Sequence, residues 1–332
     1  MKIFVTGATG LIGAHTARTL MDAGHSLRLL VRQPKVAQQY FSEHGYQVDD
    51  LVVADMLDKT AVREAMRGCD AVFHAAAAVD LNPKNADKTL ANNLGGIDSI
   101  IGTAHELGIG KILYVSSMGA LFSPNQPVLN EQSPLAEASD PYSKSKEMAE
   151  LKVRELQMAG APIVITYPFG VFGPEDPKLS ESNAAFCEFL NTLVPITSSG
   201  LQFIDVRDLA QVHQQLLEKD LAEQRHEERY VVAGHFYPWR EFAELLRRST
   251  PHRVLAVPVP GVVFRWLGYC FDIARRFVAI PFPISKEAMY IVTQCAPSDS
   301  SKLLNTLSFT FRPAEQTVRD TSAWLAANQL IK

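Results

Sequence analysis

Short apolar runs alternate along the first half of the chain with longer stretches whose apolar residues recur at helical spacing. Lys2-Ile3-Phe4-Val5 opens the series, and similar runs lie near residues 27–31, 51–54, 71–74, 111–116 and 162–167. Strands and helices in strict alternation predict an α/β fold, a Rossmann-type doubly wound parallel sheet. Two helices are legible in detail. One runs from Leu11 through Ala23, with Leu11, Ile12, Ala17 and Leu20 on an apolar face and Gly24 at a left-handed cap position. The other runs from Pro141 to about Ala159. Asp140 is its N-cap candidate, Pro141 suits the first helical position, Leu151, Leu156 and Met158 are expected on its buried side, and Gly160 stops it.

Composition narrows the class without naming a function. The 332 residues are 47% hydrophobic with a formal net charge of −4, which suits a globular enzyme with a large core. Lys and Arg are scattered, so nucleic acid is not an expected partner. Cys69, Cys187, Cys270 and Cys295 have no paired spacing, which disfavours a disulfide framework or structural zinc and predicts a reducing compartment. The first apolar run is broken at once by Gly7 and Gly10, so it reads as a strand and not a leader, and a cytoplasmic protein is expected. Residues 254–284 are rich in Val, Phe, Trp, Ile and Pro, but Arg265, Asp272, Arg275 and Arg276 interrupt them, so no transmembrane span is expected. Packing, a substrate wall and a peripheral contact with a membrane surface all stay open for this stretch.

Two places carry chemistry. Thr6-Gly7-Ala8-Thr9-Gly10-Leu11-Ile12-Gly13 follows the first strand and opens the first helix. Glycine lets backbone approach a pyrophosphate, and a helix N-terminus offers it unpaired N–H groups. The spacing is Gly-x-x-Gly-x-x-Gly, unlike the common dinucleotide fingerprint. Tyr142 and Lys146 lie four apart, so in a helix the phenol and the ammonium share a face. Ser116-Ser117 ends an apolar strand upstream of them.

The ordered set of motifs resembles the short-chain dehydrogenase/reductase superfamily, in its extended, epimerase/dehydratase-like branch. The resemblance runs from the glycine turn through Asp55, His74-Ala75-Ala76-Ala77, Asn93, Ser117, Tyr142, Lys146 and Tyr167 to Pro174, then Phe203 to Asp208, and on to Asp299 to Lys302 and Arg319 to Leu325. It implies Ser117, Tyr142 and Lys146 as the catalytic set, with Ser116 the rival serine. It implies a cofactor bed of Gly7, Thr9, Gly10, Leu11, Ile12, Gly13, Arg32, Lys35, Asp55, Met56, Ala75, Ala76, Ala77, Asn93, Ser116, Tyr142, Lys146, Tyr167, Pro168, Gly170 and Val171. Asn93 is expected to hold neighbouring backbone, His74 to pack rather than catalyse, and Asp55 either to flank adenine or to cap the next helix. The chain loses its regularity after Pro174. A cofactor domain is therefore expected over residues 1–175 plus 201–235, and a smaller, mainly helical substrate domain over 176–200 plus 236–332. A homodimer is a further implication.

The second strand ends in Arg32, where an acidic residue would hold an adenosine 2′-hydroxyl. A guanidinium there, with Lys35 nearby, favours a 2′-phosphate and so NADP(H) over NAD(H), which the site also admits. A tyrosine of ordinary pKa near 10 needs help as an acid/base, and Lys146 supplies it by favouring phenolate. Met118, Gly119 and Ala120 follow Ser117 where the resembled dehydratases have acids, and Tyr167-Pro168 stands where Arg-Pro is usual. With the apolar 254–284 stretch, these departures predict an NAD(P)-dependent oxidoreductase acting on a bulky hydrophobic carbonyl or alcohol. A nucleotide-sugar epimerase is the second reading, with Arg207, Arg240, Arg247 or Arg248 as diphosphate clamps. A catalytically silent NADP-binding regulator is the third. No metal is expected, because the histidines are dispersed.

Overall fold

A computed structural model describes residues 1–77, 86–123, 126–136, 141–274 and 286–331; for residue 86 and residues 141–143, 272–274 and 286–288 it describes the backbone alone. The first half alternates as the pattern predicts. In order come β1 (Lys2–Thr6), α1 (Leu11–Asp22), β2 (Ser26–Val31), α2 (Pro34–Glu43), β3 (Leu51–Val53), α3 (Lys59–Met66), β4 (Ala71–His74), α4 (Ala86–Ile97), α5 (Thr103–Glu106), β5 (Lys111–Val115), α6 (Pro141–Met158) and β6 (Ile163–Pro168). A π-helical turn, Asp98–Gly102, joins α4 to α5. The second half has β7 (Gly170–Phe172), α7 (Glu181–Asn191), β8 (Val194–Ile196), β9 (Gly200–Asp205), α8 (Val206–Glu218), β10 (Arg229–Val232), β11 (His235–Pro238), α9 (Trp239–Ser249), β12 (Ala256–Pro258), α10 (Gly261–Ala274), α11 (Lys286–Gln294), α12 (Ser301–Leu307) and α13 (Ala314–Ala327).

Seven strands form one parallel sheet in the order β10-β6-β5-β4-β1-β2-β3. From β1 the chain winds outward through β2 and β3, then returns to β4 on the other side of β1. The order therefore reverses between β1 and β4, where Thr6 lies beside His74. Ligands of such sheets bind in the crevice beyond the carboxyl ends of the strands at this reversal, because the two crossovers part there.

The period of two along each strand sends alternate side chains into different cores. Ile3 and Val5 join a cluster with Leu20, Leu29, Phe41 and Leu216, whereas Phe4 joins one with Val72, Ile100, Ile112, Val153 and Ile165. A third cluster gathers Phe172, Phe186, Phe203, Trp239, Phe242, Leu246 and Leu325. β9 pairs parallel with β7 and antiparallel with β11, so Phe203 serves this third cluster, while α8 packs on α1 and β10 adds to β6. β8 and β12 make a further parallel pair.

α6 corrects one expectation. Leu151 and Met158 are 50% and 75% exposed, and only Leu156 is partly buried. The buried face holds Ser145, Lys146, Ala149, Glu150, Val153 and Gln157, so polar residues with partners occupy positions that hydropathy assigns to solvent. Gly160 does end the helix, at φ +98° with its N–H donating to Gln157 O. The expected cap Asp140 lies outside the described residues. On α10, Val262, Trp266 and Tyr269 face outward with exposures of 70%, 65% and 57%, so packing accounts for only part of that apolar stretch. Among the described residues no helix is long and apolar enough to cross a membrane.

Candidate active site

The glycine turn sits at the crevice between β1 and β4, and its glycines do different work. Gly7 adopts φ +81°, and a Cβ there would stand 2.8 Å from Ala75 C and Ala76 N, so the turn lies directly against the exit of β4. A Cβ on Gly13 would come within 2.1 Å of Gly7 O, which only a bare α-carbon permits. A Cβ on Gly10 would meet only Gly7 O, at 3.6 Å, so that side of the turn is open. Gly10 caps α1 without a side-chain hydrogen bond, and the first turn of α1 carries no acid. The leading N–H groups and the positive end of the helix dipole are thereby available to an anion. Leu11 is buried in the core, with Thr9 and Ile12 partly exposed beside the opening.

The β4 exit is held by Thr6. Its Oγ1 accepts from Ala76 N–H at 3.4 Å and lies 2.6 Å from His74 Nδ1, while its carbonyl accepts from Ala75 N–H at 3.3 Å. Ala77, next along, is exposed. His74 is buried and stacked on Tyr114. Burial, aided by the charge of Lys146, lowers its pKa to about 3, which leaves a neutral imidazole in a packing role.

Arg32 and Lys35 are exposed just past β2. The other strand arginine, Arg28, is committed to Asp50 at 2.9 Å and Ala65 O at 2.8 Å. Asp55 is exposed and accepts from Leu57 N–H at 2.9 Å, but the cap of α3 is Asp58, which accepts from Ala61 N–H at 3.0 Å. The capping role considered for Asp55 therefore belongs to Asp58. Met56 lies under Gly96, where a Cβ would stand 3.3 Å from its sulfur.

At the other end, β5 delivers both serines, and their environments differ. Ser116 is buried and donates to Glu150 Oε2 at 2.7 Å. Ser117 accepts from Gly119 N–H at 3.1 Å as the cap of a short 3₁₀ turn, which leaves its own proton for another acceptor. Lys146 is buried on the face of α6 that also carries Glu150. Burial lowers its pKa to about 8, opposed by the carboxylate of Glu181 on α7. Asn93 of α4 donates to the Ser145 hydroxyl at 3.1 Å, so a side chain of α6 is one partner of a residue expected to hold backbone. Tyr142 lies in the first turn of α6, four residues before Lys146, and its side chain is outside the described residues.

Tyr167 and Pro168 end β6 with buried side chains, and Gly170 and Val171 begin the neighbouring β7. The Tyr167 hydroxyl donates to Glu150 and accepts from Arg154 at 3.0 Å, while Arg154 Nε reaches Glu150 at 2.7 Å. Burial, together with the Glu150 carboxylate, pushes the Tyr167 phenol well above its ordinary range. The hydroxyl of Tyr167 thus serves this network.

Sequence reasoning missed Glu150 and Glu181. Glu150 continues the series Tyr142, Lys146 at the same spacing, so its face was legible, but its burial was not. Glu181 meets Lys146 only through the packing of α7. Of the arginines considered as sugar-diphosphate clamps, Arg207 is held by Asp205 at 2.8 Å and Asp320 at 2.7 Å. Arg248 is held by Glu315 at 2.6 Å, and Arg247 donates to Val254 O at 3.1 Å; Arg240 is exposed. Among the described residues no group of His, Cys, Asp and Glu is placed to hold a metal ion.

Known proteins share this framework. A family model described as the NAD dependent epimerase/dehydratase family matches residues 3–233. A Synechocystis sp. protein named "Putative dihydroflavonol 4-reductase" is 27% identical over 99% of this chain and 96% of its own length. Cinnamoyl-CoA reductase 1 of Petunia hybrida is 28% identical over 86% of this chain and 85% of its own. The solved structure of gox2253 superposes with a TM-score of 0.81 at 26% identity, covering 99% of both chains.

Proposed function

The chain belongs to the NAD dependent epimerase/dehydratase family, and from that premise we propose that it is an NADP(H)-dependent oxidoreductase acting on a bulky hydrophobic ketone, aldehyde or alcohol. The observation that carries the reading is the division of labour at the end of β5. Ser116 is spent on Glu150, whereas Ser117 keeps a proton to donate beside the helix that bears Tyr142 and Lys146. When bound, the nicotinamide cofactor supplies or takes up hydride at the substrate carbon. Tyr142 gives the substrate oxygen a proton in reduction and takes it back in oxidation, and Ser117 donates a hydrogen bond to that oxygen. Lys146, while protonated, favours the phenolate of Tyr142 and holds the nicotinamide ribose. The open side of the glycine turn takes the diphosphate, and Arg32 with Lys35 pairs with a 2′-phosphate.

Support for plain hydride exchange comes from what lies around the site. Met118, Gly119 and Ala120, not carboxylates, directly follow Ser117, and Arg207, Arg247 and Arg248 are already committed. Relatives named as reductases across most of the chain fit the same reading. A cytoplasmic homodimer belongs to the same reading, with the exposed Leu151 and Met158 of α6 available to a second copy. Purified protein should oxidise NADPH with aromatic, alicyclic or long-chain carbonyl compounds, and Tyr142→Phe should abolish turnover while NADPH still binds. Normal turnover by the Phe variant would refute the mechanism. Interconversion of a nucleotide sugar without net cofactor consumption would establish the epimerase reading instead.

A further inference from the structure

We propose that Lys178 is a diphosphate-binding residue, carried across the glycine turn by the segment between β7 and α7. The proposal rests on the reading of the crevice as a dinucleotide site. Lys178 is exposed, and its Nζ lies 3.4 Å from Oγ1 of Thr9, which precedes Gly10 on the open side of the turn. The two residues are 169 positions apart in sequence, so tertiary structure alone brings this cation to the phosphate-binding end.

The segment that carries Lys178 is fastened on both sides. His15 Nε2 bonds Pro174 O at 3.0 Å, Arg18 pairs with Glu175 at 2.6 Å, and Tyr40 OH donates to Glu175 O at 3.1 Å, so α1 and α2 hold its start. Asp176 folds its middle, accepting from Lys178 N–H at 3.2 Å, Ser180 N–H at 2.6 Å and Asn183 Nδ2 at 3.0 Å. Asn183 in turn donates to Gly173 O at 2.8 Å and ties the segment to α7. Glu175 and Leu179 both adopt left-handed φ, 58° and 51°, a conformation that side chains such as theirs accept only where surrounding bonds impose it. The backbone of Lys178 is thus set in place, while its long side chain is free to reach.

The partner of its ammonium among the described residues is a neutral hydroxyl at a long distance. A phosphate oxygen in the same place is the stronger acceptor, because both partners are charged. The helix terminus beneath brings no acid to compete, since the first turn of α1 has none. The diphosphate is common to NADPH and NADH, so Lys178 acts on both, unlike Arg32 at the 2′ position.

The test is fluorescence titration of the full chain with NADPH and with NADH, at low and high salt, for wild type, Lys178→Met and Lys178→Arg. Lys178→Met should weaken both cofactors by about tenfold, the lower end for a hydrogen bond between charged groups, because the site is exposed. The deficit should shrink at high salt, and Lys178→Arg should restore binding. The urea midpoint of the cofactor-free protein should not move, which separates binding from folding. Unchanged affinity in Lys178→Met overturns the inference, as does a loss confined to NADPH. If the wild type binds neither cofactor, the dinucleotide reading itself fails.

Discussion

Glu150 offers the sharpest test of how the site is built. Its side chain is fully buried and accepts from Ser116 at 2.7 Å, from Arg154 at 2.7 Å and from the Tyr167 hydroxyl. Glu150→Ala removes the acceptor from all three donors and leaves a cavity behind β5 and β6. Losing one partner of a buried charged pair costs about 3–5 kcal/mol. The Arg154 side chain keeps 16% of its exposure and can recruit water, which places the loss near the lower bound, ~3 kcal/mol. Glu150→Gln preserves shape and one acceptor oxygen but surrenders charge, so it should cost less, ~1–2 kcal/mol. Urea unfolding followed by circular dichroism reads both, as midpoint shifts at constant slope. If Glu150→Ala unfolded at the wild-type midpoint, or if Gln were as damaging as Ala, the network would not be a charged keystone and the reasoning would be wrong. Ser116 loses its fixed partner in Glu150→Ala, so turnover of that variant should fall further than cofactor affinity.

Two glycines separate folding from binding. Gly13→Ala drives a methyl into Gly7 O and should destabilise the fold by ~1–3 kcal/mol, whereas Gly10→Ala should fold normally yet lose NADPH affinity by fluorescence titration. In acid, burial holds His74 and His213 neutral down to about 3 and His15 to about 4, against an ordinary 6.5. The unfolded chain therefore binds these protons first, and stability should fall as pH drops from about 6.5 towards 3, less steeply in His213→Gln; equal slopes in urea unfolding at stepped pH would contradict this. Lys146 has a folded pKa of about 8 against an ordinary 10.5, so its buried charge is a cost below pH 8 that is relieved as pH rises. Lys146→Met should be more stable than wild type at pH 7, with the gap closing towards pH 10. Arg32→Asp should reverse the preference for NADPH over NADH, and tighter NADH binding by the wild type would sink the assignment of Arg32.

Much of this molecule is local, and local features are legible in a sequence. The alternation of short apolar runs with helical periods is set by which side chains tolerate burial on a strand or a helix face, and six of the seven sheet strands follow from it. The glycine turn is local too, because Gly7, Gly10 and Gly13 lie at one strand-to-helix junction, where the approach of Gly13 to Gly7 O needs a bare α-carbon. The four-residue spacing of Tyr142 and Lys146 needs nothing beyond a helix. What failed was the burial of α6, where hydropathy put Leu151 and Met158 inside and the structure puts Glu150 and Gln157 there. A polar side chain is buried when distant groups satisfy it, as Ser116 and Tyr167 do for Glu150. Arg154 is a neighbour on α6 itself, but Ser116 and Tyr167 come from β5 and β6 and reach Glu150 only after the sheet has formed. The same holds for Lys178 over Thr9 and Glu181 beside Lys146. Most of the strands and helices and the candidate chemistry could be read from residue order, because these depend on neighbours in the chain. Tertiary structure alone decided which polar groups are paired and which stay available, because satisfaction and desolvation depend on neighbours in space.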